Sequence, residues 1–319
     1  MMKAVIFRQH GGPEVLEYTD VPMPPVPAGH VLVRVKACSV NHVDCWIRQG
    51  IPAYRIRLPH ISGCDVSGVI ERLGAEVRGV RAGDRVILSP GLRCGQCEFC
   101  RAGDETLCAS AGIRGAATDG GYAEFTLARE DDLLPLPDGI SFEDAAAFPL
   151  VFMTAWHMLV GRAKLKAGET VLIHAAGSGI GHAAIQIAKH LKAVVYTTVG
   201  AEAKIPKAKA LGADEIINYQ QEDVLGRVRE LTDGRGVDVV FEHIGPQTWE
   251  GSLKALAKRG RLVTCGATSG PTVPLDLRYV FSRQLSILGS MMGTRAELAT
   301  VTQLVGERIQ ARRGRGPWE

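Results

Sequence analysis

The chain has 319 residues, 46% hydrophobic and 22% charged, which is ordinary globular composition and enough for two domains with cores of their own. A formal net charge of +3 is too small and too dispersed for a nucleic-acid or anionic-membrane surface, and the longest apolar runs are strand-sized. The chain opens on Lys3-Ala-Val-Ile-Phe rather than a signal peptide, so a cytoplasmic protein is expected, and four of its eight cysteines cluster within fifteen residues, which in a reducing compartment favours metal over disulfides.

Up to about Phe125 the sequence is mostly β in character. Short segments such as Val31 to Val35 and Arg85 to Leu88 alternate with turns rich in Gly and Pro, including Pro22-Met-Pro-Pro-Val-Pro. Asn41 to Gly50 has a helical pattern, and Gly63-Cys-Asp-Val-Ser-Gly-Val-Ile reads as a turn entering a strand. The most specific signal follows at Gly91 to Cys108, GLRCGQCEFCRAGDETLC, where Cys94, Cys97, Cys100 and Cys108 give C-x2-C-x2-C-x7-C. Closely spaced thiolates can wrap one tetrahedral cation, and four sulfurs leave no open position, so a structural Zn2+ is expected. An iron-sulfur cluster and disulfides are the rival readings, although a ferredoxin-type run would place x3 before a final Cys-Pro.

Val171 to Ile173 reads as a buried strand, Ala175 to Gly181 as a glycine-rich turn, and the residues to Lys192 as a helix. On that helix Ile180, Ala184, Ile187, Ala188 and Leu191 form a stripe that can pack on a sheet, with His182, Gln186 and Lys189 off it. Backbone N–H groups at such a helix start suit a pyrophosphate. The spacing of Gly177, Gly179 and Gly181 is G-x-G-x-G rather than the ideal G-x-G-x-x-G, so the turn alone also fits any parallel α/β protein. Further strands at Ala193 to Val199, Val237 to Phe241 and Arg261 to Cys265, separated by helical patterns, describe a doubly wound parallel sheet.

The zinc-type lobe, GDRVI at Gly83 to Ile87, AAGSGIG at Ala175 to Gly181, KALGADEIINY at Lys209 to Tyr219 and GRGVDVVFEHIG at Gly234 to Gly245 together resemble the medium-chain dehydrogenase/reductase superfamily across nearly the whole chain. HGGPEVLEY at His10 to Tyr18 and NHVD at Asn41 to Asp44 are similar to its quinone oxidoreductase branch, while the lobe is similar to zinc-containing alcohol dehydrogenases. The resemblance implies an α/β protein: a mostly-β GroES-like catalytic domain over 1–150 carrying the lobe at 94–108, a Rossmann domain over 151–290, and an active site in the cleft between them. Residues 291–319 are a segment that could complete the catalytic domain.

In the resembling alcohol dehydrogenases a catalytic zinc is held by Cys, His and Cys, and the matching positions here are Asn41, Cys64 and Leu150. An amide and an alkyl chain cannot replace thiolates, so no catalytic zinc is expected. Cys64, Asp65, His42, Asp44 and Cys45 crowd one region and could assemble an unorthodox metal site; the plainer reading makes Cys38 and Cys45 small buried hydrophobes and the two Asp hydrogen-bonded carboxylates. His157, His174, His190 and His243 have no ligand spacing and are read as structural or solvent-facing.

Without a metal, hydride transfer needs an electron-poor acceptor, a quinone or an α,β-unsaturated carbonyl, whose oxygen then needs only hydrogen-bond donors. The resemblance makes Asn41 the first candidate to line that site, Tyr54 a weaker one displaced by two residues, and Thr154 a residue beside the nicotinamide. The cofactor-binding candidates are Thr154, Gly177, Ser178, Gly179, Ile180, Gly181, Gly200, Lys204, Gly266 and Ala267. No acid stands at Val199-Gly200-Ala201, where a carboxylate would hold the ribose diol of NAD, so NADP(H) is preferred and NAD(H) possible, with Lys204 near enough in sequence for a 2′-phosphate. Arg283 to Met292 resembles the last Rossmann strand, which in this superfamily pairs across a dimer axis, so a homodimer or homotetramer is expected. After a helical stretch around Glu297 to Ile309, Ala311-Arg-Arg-Gly-Arg-Gly-Pro-Trp-Glu departs from the family pattern and reads as a solvated end. Two alternatives stand beside the quinone or enone reductase: an NAD(P)-dependent alcohol dehydrogenase or aldehyde reductase of the same fold, and a non-catalytic nucleotide-binding or structural protein of zeta-crystallin type.

Overall fold

In a computed structural model, which describes residues 1–50, 55–307 and 309, the backbone divides into two units. One is built from Met1–Leu150 with the helix Arg295–Glu307, the other from Val151–Gly293.

The first unit is mostly β. Strands Phe125–Arg129, His30–Cys38, Val66–Leu73, Arg85–Leu88 and Leu133–Pro135 lie side by side in that order, all antiparallel, and Met2–Ile6 forms a separate hairpin with Glu17–Val21. Val31, Val33, Val66, Ile70, Val86 and Leu88 alternate inward along their strands and make one core. The helix expected over Asn41 to Gly50 spans His42–Gln49. It is closed by Gly50 at φ 83, where a Cβ would lie 2.6 Å from the His10 ring, so both the left-handed turn and the contact require glycine.

The second unit is the doubly wound sheet that the alternating pattern predicts. Six parallel strands run in the order Glu215–Asn218, Val194–Val199, Thr170–Ile173, Val237–Glu242, Leu256–Thr264, Ser286–Gly289. Thr170–Ile173 is buried throughout, as expected of a strand covered by helices on both faces. The strand expected from Arg261 begins earlier, at Leu256, because a bulge with Arg259 at φ 62 lets Val237 pair with Leu256 and Val239 with Arg261.

One expectation is corrected. His182, placed off the packing stripe of helix Gly179–His190, is only 6% exposed and lies nearly perpendicular to the Phe152 ring, the centroids 6.2 Å apart. The helix is buried on a second side as well, by Pro149–Trp156, so Ala183 and Ile185 are also inside and a one-stripe reading underestimates its burial.

Candidate active site and metal centre

The glycine-rich turn is shaped by its own backbone. Ser178 caps helix Gly179–His190: its hydroxyl accepts from the Gly181 N–H at 2.9 Å and donates to the Ala175 carbonyl at 2.8 Å. A Cβ at position 181 would stand 2.3 Å from that same carbonyl, so the last glycine of the motif is set by close backbone approach. Ala175 and Ala176 are stitched to Thr198 on the neighbouring strand, so Gly177 to Gly181 sits at the carboxyl end of the sheet with the helix start behind it. This is the geometry of an anion site at a helix N-terminus.

The remaining cofactor candidates occupy other strand ends. Gly200 follows strand Val194–Val199, and a Cβ there would meet the Tyr219 hydroxyl at 2.3 Å. Lys204 ends the short turn Glu202–Lys204, and the acid in that turn, Glu202, is bonded to Gln221 at 2.9 Å. Gly266 and Ala267 follow strand Leu256–Thr264, and a Cβ at 266 would lie 2.9 Å from the His243 carbonyl. Thr154 is buried on helix Pro149–Trp156. Tyr54 lies outside the described residues.

In the first unit, Asn41, Cys64 and Leu150 do come together, and what joins them is a carboxylate that the sequence reading treated as background. Asp65 is 1% exposed; it accepts from Asn41 Nδ2 at 2.9 Å, from the Leu150 N–H at 2.9 Å and from the Ser39 hydroxyl at 3.3 Å. Burial pushes its carboxyl up to about 7, against the Asn41 and Leu150 bonds that hold it down. Asn41 Nδ2 also lies 3.4 Å from Cys64 Sγ, an ordinary distance for a weak bond to sulfur, and 3.4 Å from Ser39 Oγ, a long contact to oxygen. Burial, with the neighbouring Asp65 and Asp44 charges, raises the Cys64 thiol well above its ordinary range. Asp44 is otherwise engaged: its carboxylate takes the Asn41 N–H at 2.8 Å, the Tyr122 hydroxyl at 2.9 Å and the Gly63 N–H at 3.1 Å. His42 stacks edge-on against Trp46 instead. The crowded His42, Asp44, Cys45, Cys64 and Asp65 therefore do not converge as ligands; among the described residues the one cluster of ligand type is the cysteine lobe.

That lobe fits a metal. The Sγ atoms of Cys94, Cys97, Cys100 and Cys108 lie within 4.8 Å of one another, with Cys94 and Cys100 at 3.9 Å, close to the roughly 3.8 Å that a tetrahedron of thiolates around zinc requires. Backbone N–H groups of Gln96 and Cys97 point at Cys94 Sγ, and those of Cys94 and Ser110 at Cys108 Sγ, at 3.3 to 3.4 Å. Such donors stabilise thiolates, and those of Gln96 and Cys97 bring Cys94 down to about 6. Glu105, inside the lobe, takes Arg93 Nε at 2.6 Å and the backbone N–H of Arg295, and Arg295 Nη2 donates to the Leu133 carbonyl at 2.8 Å. Helix Arg295–Glu307 is thus tied to the lobe through Glu105.

A family model described as alcohol dehydrogenase GroES-like domain matches residues 27–138, and one described as zinc-binding dehydrogenase matches residues 179–307. A quinone oxidoreductase of Pseudomonas aeruginosa is 37% identical over 98% of this chain and 86% of its own length. The chain belongs to the medium-chain dehydrogenase/reductase superfamily. An alcohol dehydrogenase of Geobacillus stearothermophilus is 34% identical to this dehydrogenase/reductase over 96% of the chain and 89% of its own length. A crystal structure of an NAD-dependent alcohol dehydrogenase superposes with a TM-score of 0.92 at 45% identity, covering 97% of this chain and 90% of that one. This medium-chain dehydrogenase/reductase is accordingly an oxidoreductase, with the GroES-like and Rossmann architecture of its relatives. Among its described residues no helix is long and apolar enough to cross a membrane.

Proposed function

We propose that the protein transfers hydride from a nicotinamide cofactor to an electron-poor acceptor, a quinone or an α,β-unsaturated carbonyl, without a catalytic metal. The observation that carries this reading is the constellation around Asp65. Where the resembling alcohol dehydrogenases place three zinc ligands, this chain presents an amide anchored by a carboxylate, a thiol that burial keeps protonated, and an alkyl side chain. Hydride addition to a conjugated carbon leaves charge on the carbonyl oxygen, which donors alone can stabilise. Asn41 supplies one: Asp65 fixes its first N–H, and the second, held only at 3.4 Å by Ser39 and Cys64, can turn to a substrate oxygen at little cost. Tyr54 and Thr154 are the further residues proposed to take part in catalysis.

The cofactor reading rests on the Gly177–Gly181 turn and the strand ends around it. NADP(H) is the proposed preference because Gly200, not an acid, follows the second strand, with Lys204 nearby for a 2′-phosphate. The lobe is proposed to hold one structural Zn2+ on Cys94, Cys97, Cys100 and Cys108, whose role is to fix the fold of the lobe and its grip on helix Arg295–Glu307. A homodimer or homotetramer is proposed through the edge strand Ser286–Gly289, which has a neighbour on one side only among the described residues and is flanked in sequence by exposed Leu277, Phe281 and Met291.

The second reading, an alcohol dehydrogenase, is favoured by the 45% identity to the NAD-dependent alcohol dehydrogenase structure. A panel of quinones, enones, acyl-CoA enoyl thioesters, aldehydes and alcohols, assayed with NADH and NADPH alongside zinc content, separates the two. Turnover of quinones or enones at one zinc per chain is expected; activity confined to alcohols and aldehydes, with two zinc per chain, would reverse the assignment. Asn41→Ala should lower kcat by roughly 10- to 100-fold while leaving cofactor affinity within about twofold. Unchanged turnover would remove Asn41 from the site.

A further inference from the structure

Strand order reverses between Thr170–Ile173 and Val237–Glu242: the chain builds outward from the first to Glu215–Asn218, then returns to the other side. Ligands of doubly wound sheets bind across the carboxyl ends at such a reversal. At the ends of these adjacent strands stand His174, just past Ile173, and Glu242, the last residue of its strand, and both are buried, at 4% and 0% exposure. Neither belongs to the sequence-derived set of cofactor contacts.

Glu242 is saturated with donors. Its Oε1 accepts from the N–H of Ile244 at 2.7 Å and of Gly245 at 3.1 Å; the Thr248 hydroxyl reaches both oxygens at 3.0 and 2.9 Å, and the Ser252 hydroxyl reaches Oε2 at 2.8 Å. Because Ser252 spends its one proton on Glu242, its 2.8 Å contact with His174 Nε2 must have the imidazole as donor, which sets the His174 tautomer. Burial pushes His174 down to about 4, so it is neutral near pH 7.

The consequences reach both loops at the reversal. His174 immediately precedes the Ala175–Gly181 turn, and its carbonyl lies 3.1 Å from His243 Nε2. Residues 243 to 245, held from below by the Glu242 carboxylate, in turn hold the next loop: the Ile244 carbonyl accepts from Ser269 N–H and Oγ, each at 2.7 Å, and the His243 carbonyl accepts from Thr268 Oγ1 at 3.1 Å. Gly245, at φ 98, packs against Ala267 and Gly270, where any Cβ would lie 2.9 Å from the Gly270 carbonyl.

We infer that Glu242 is a positioning residue for the cofactor, a buried hub that fixes the loops at 243–245 and 266–270, where the nicotinamide end would lie, relative to the turn at 175–181. The inference rests on the proposed nicotinamide-cofactor reading and adds to it a division of labour. The Ser178-capped turn holds the pyrophosphate by itself, whereas the far half of the dinucleotide depends on Glu242. Glutamine fits this hub poorly. An NH2 in place of Oε1 faces two backbone donors, and one in place of Oε2 donates to Ser252, so that the serine proton must turn to His174 Nε2 and the His174 tautomer must reverse.

The test compares whole and half ligands. Wild type, Glu242→Gln and Thr248→Val are titrated with NADPH and NADH, and separately with 2′,5′-ADP and 5′-ADP, which carry only the adenosine half, and kcat is measured on the best acceptor. Expected for Glu242→Gln is about tenfold weaker binding of the whole cofactor and at least a tenfold drop in kcat, with the half ligands bound as in wild type; Thr248→Val follows in the same direction more weakly. Retained binding of the half ligand also reports that the variant's sheet and turn are folded. Equal loss for whole and half ligands, or no loss for either, would overturn the positioning role. Failure of the wild type itself to bind either dinucleotide would instead refute the cofactor reading, and the inference with it.

Discussion

Asp65→Asn tests whether the carboxylate beneath Asn41 is as desolvated as its surroundings require. In the folded chain burial moves this group from its ordinary 3.8 to about 7. Between those values the folded state holds a proton that the unfolded state has released, so the group favours folding at pH 5 and this contribution is lost as pH rises through about 7. From pH 7 down to pH 5 two pH units lie on the slope; at about 1.4 kcal/mol each the wild type gains about 3 kcal/mol that the neutral variant cannot. Asparagine also sets its NH2 against the Asn41 NH2, a cost of about 1 to 3 kcal/mol that does not vary with pH. Urea unfolding of both proteins at pH 5.0 and 7.5 isolates the first quantity, because every other titrating group cancels in the difference between them. Between pH 7.5 and pH 5.0 the wild type should gain about 3 kcal/mol in stability relative to Asp65→Asn. Parallel stabilities at the two pH values would show that Asp65 is solvated or ionised throughout, and the desolvation argued from its burial would fall.

Gly181→Ala should cost at least about 2 kcal/mol and abolish dinucleotide binding, since its Cβ would press at 2.3 Å on a carbonyl that also accepts the Ser178 cap; thermal melts and cofactor titration report both. Cys97→Ser should remove about one equivalent of zinc, lower Tm on the order of 5 °C, and raise amide hydrogen exchange in helix Arg295–Glu307, which Glu105 and Arg93 tie to the lobe. Exchange unchanged outside the lobe would sever that link. Phe281→Glu places a charge on a 69% exposed ring in the helix that precedes the edge strand, and light scattering should then find monomer where the proposed dimer is expected of the wild type.

Much of the architecture is legible in local pattern. The apolar run Val171 to Ile173, a Ser-capped glycine turn and a 12-residue helix announce one βα unit, and repetition of that unit announces the sheet. The cysteine lobe is legible for a similar reason: its four ligands lie close together in the chain, so spacing alone predicts convergence, and the sulfurs do converge. Asn41, Cys64 and Leu150 could be nominated only through resemblance, because they are far apart in sequence and no spacing rule joins them.

By itself the sequence made legible the strands and helices with a clear period, the four cysteines that converge, and the glycine turn at a helix start, since each of these depends on neighbours within about twenty residues. The tertiary structure alone decided what lies under the sites. Asp65 meets Leu150 across 85 positions, and Glu242 reaches His174 through Ser252, 78 positions from that histidine. A buried carboxylate must find donors wherever packing brings them, so its partners follow from the fold and leave no periodic trace along the chain.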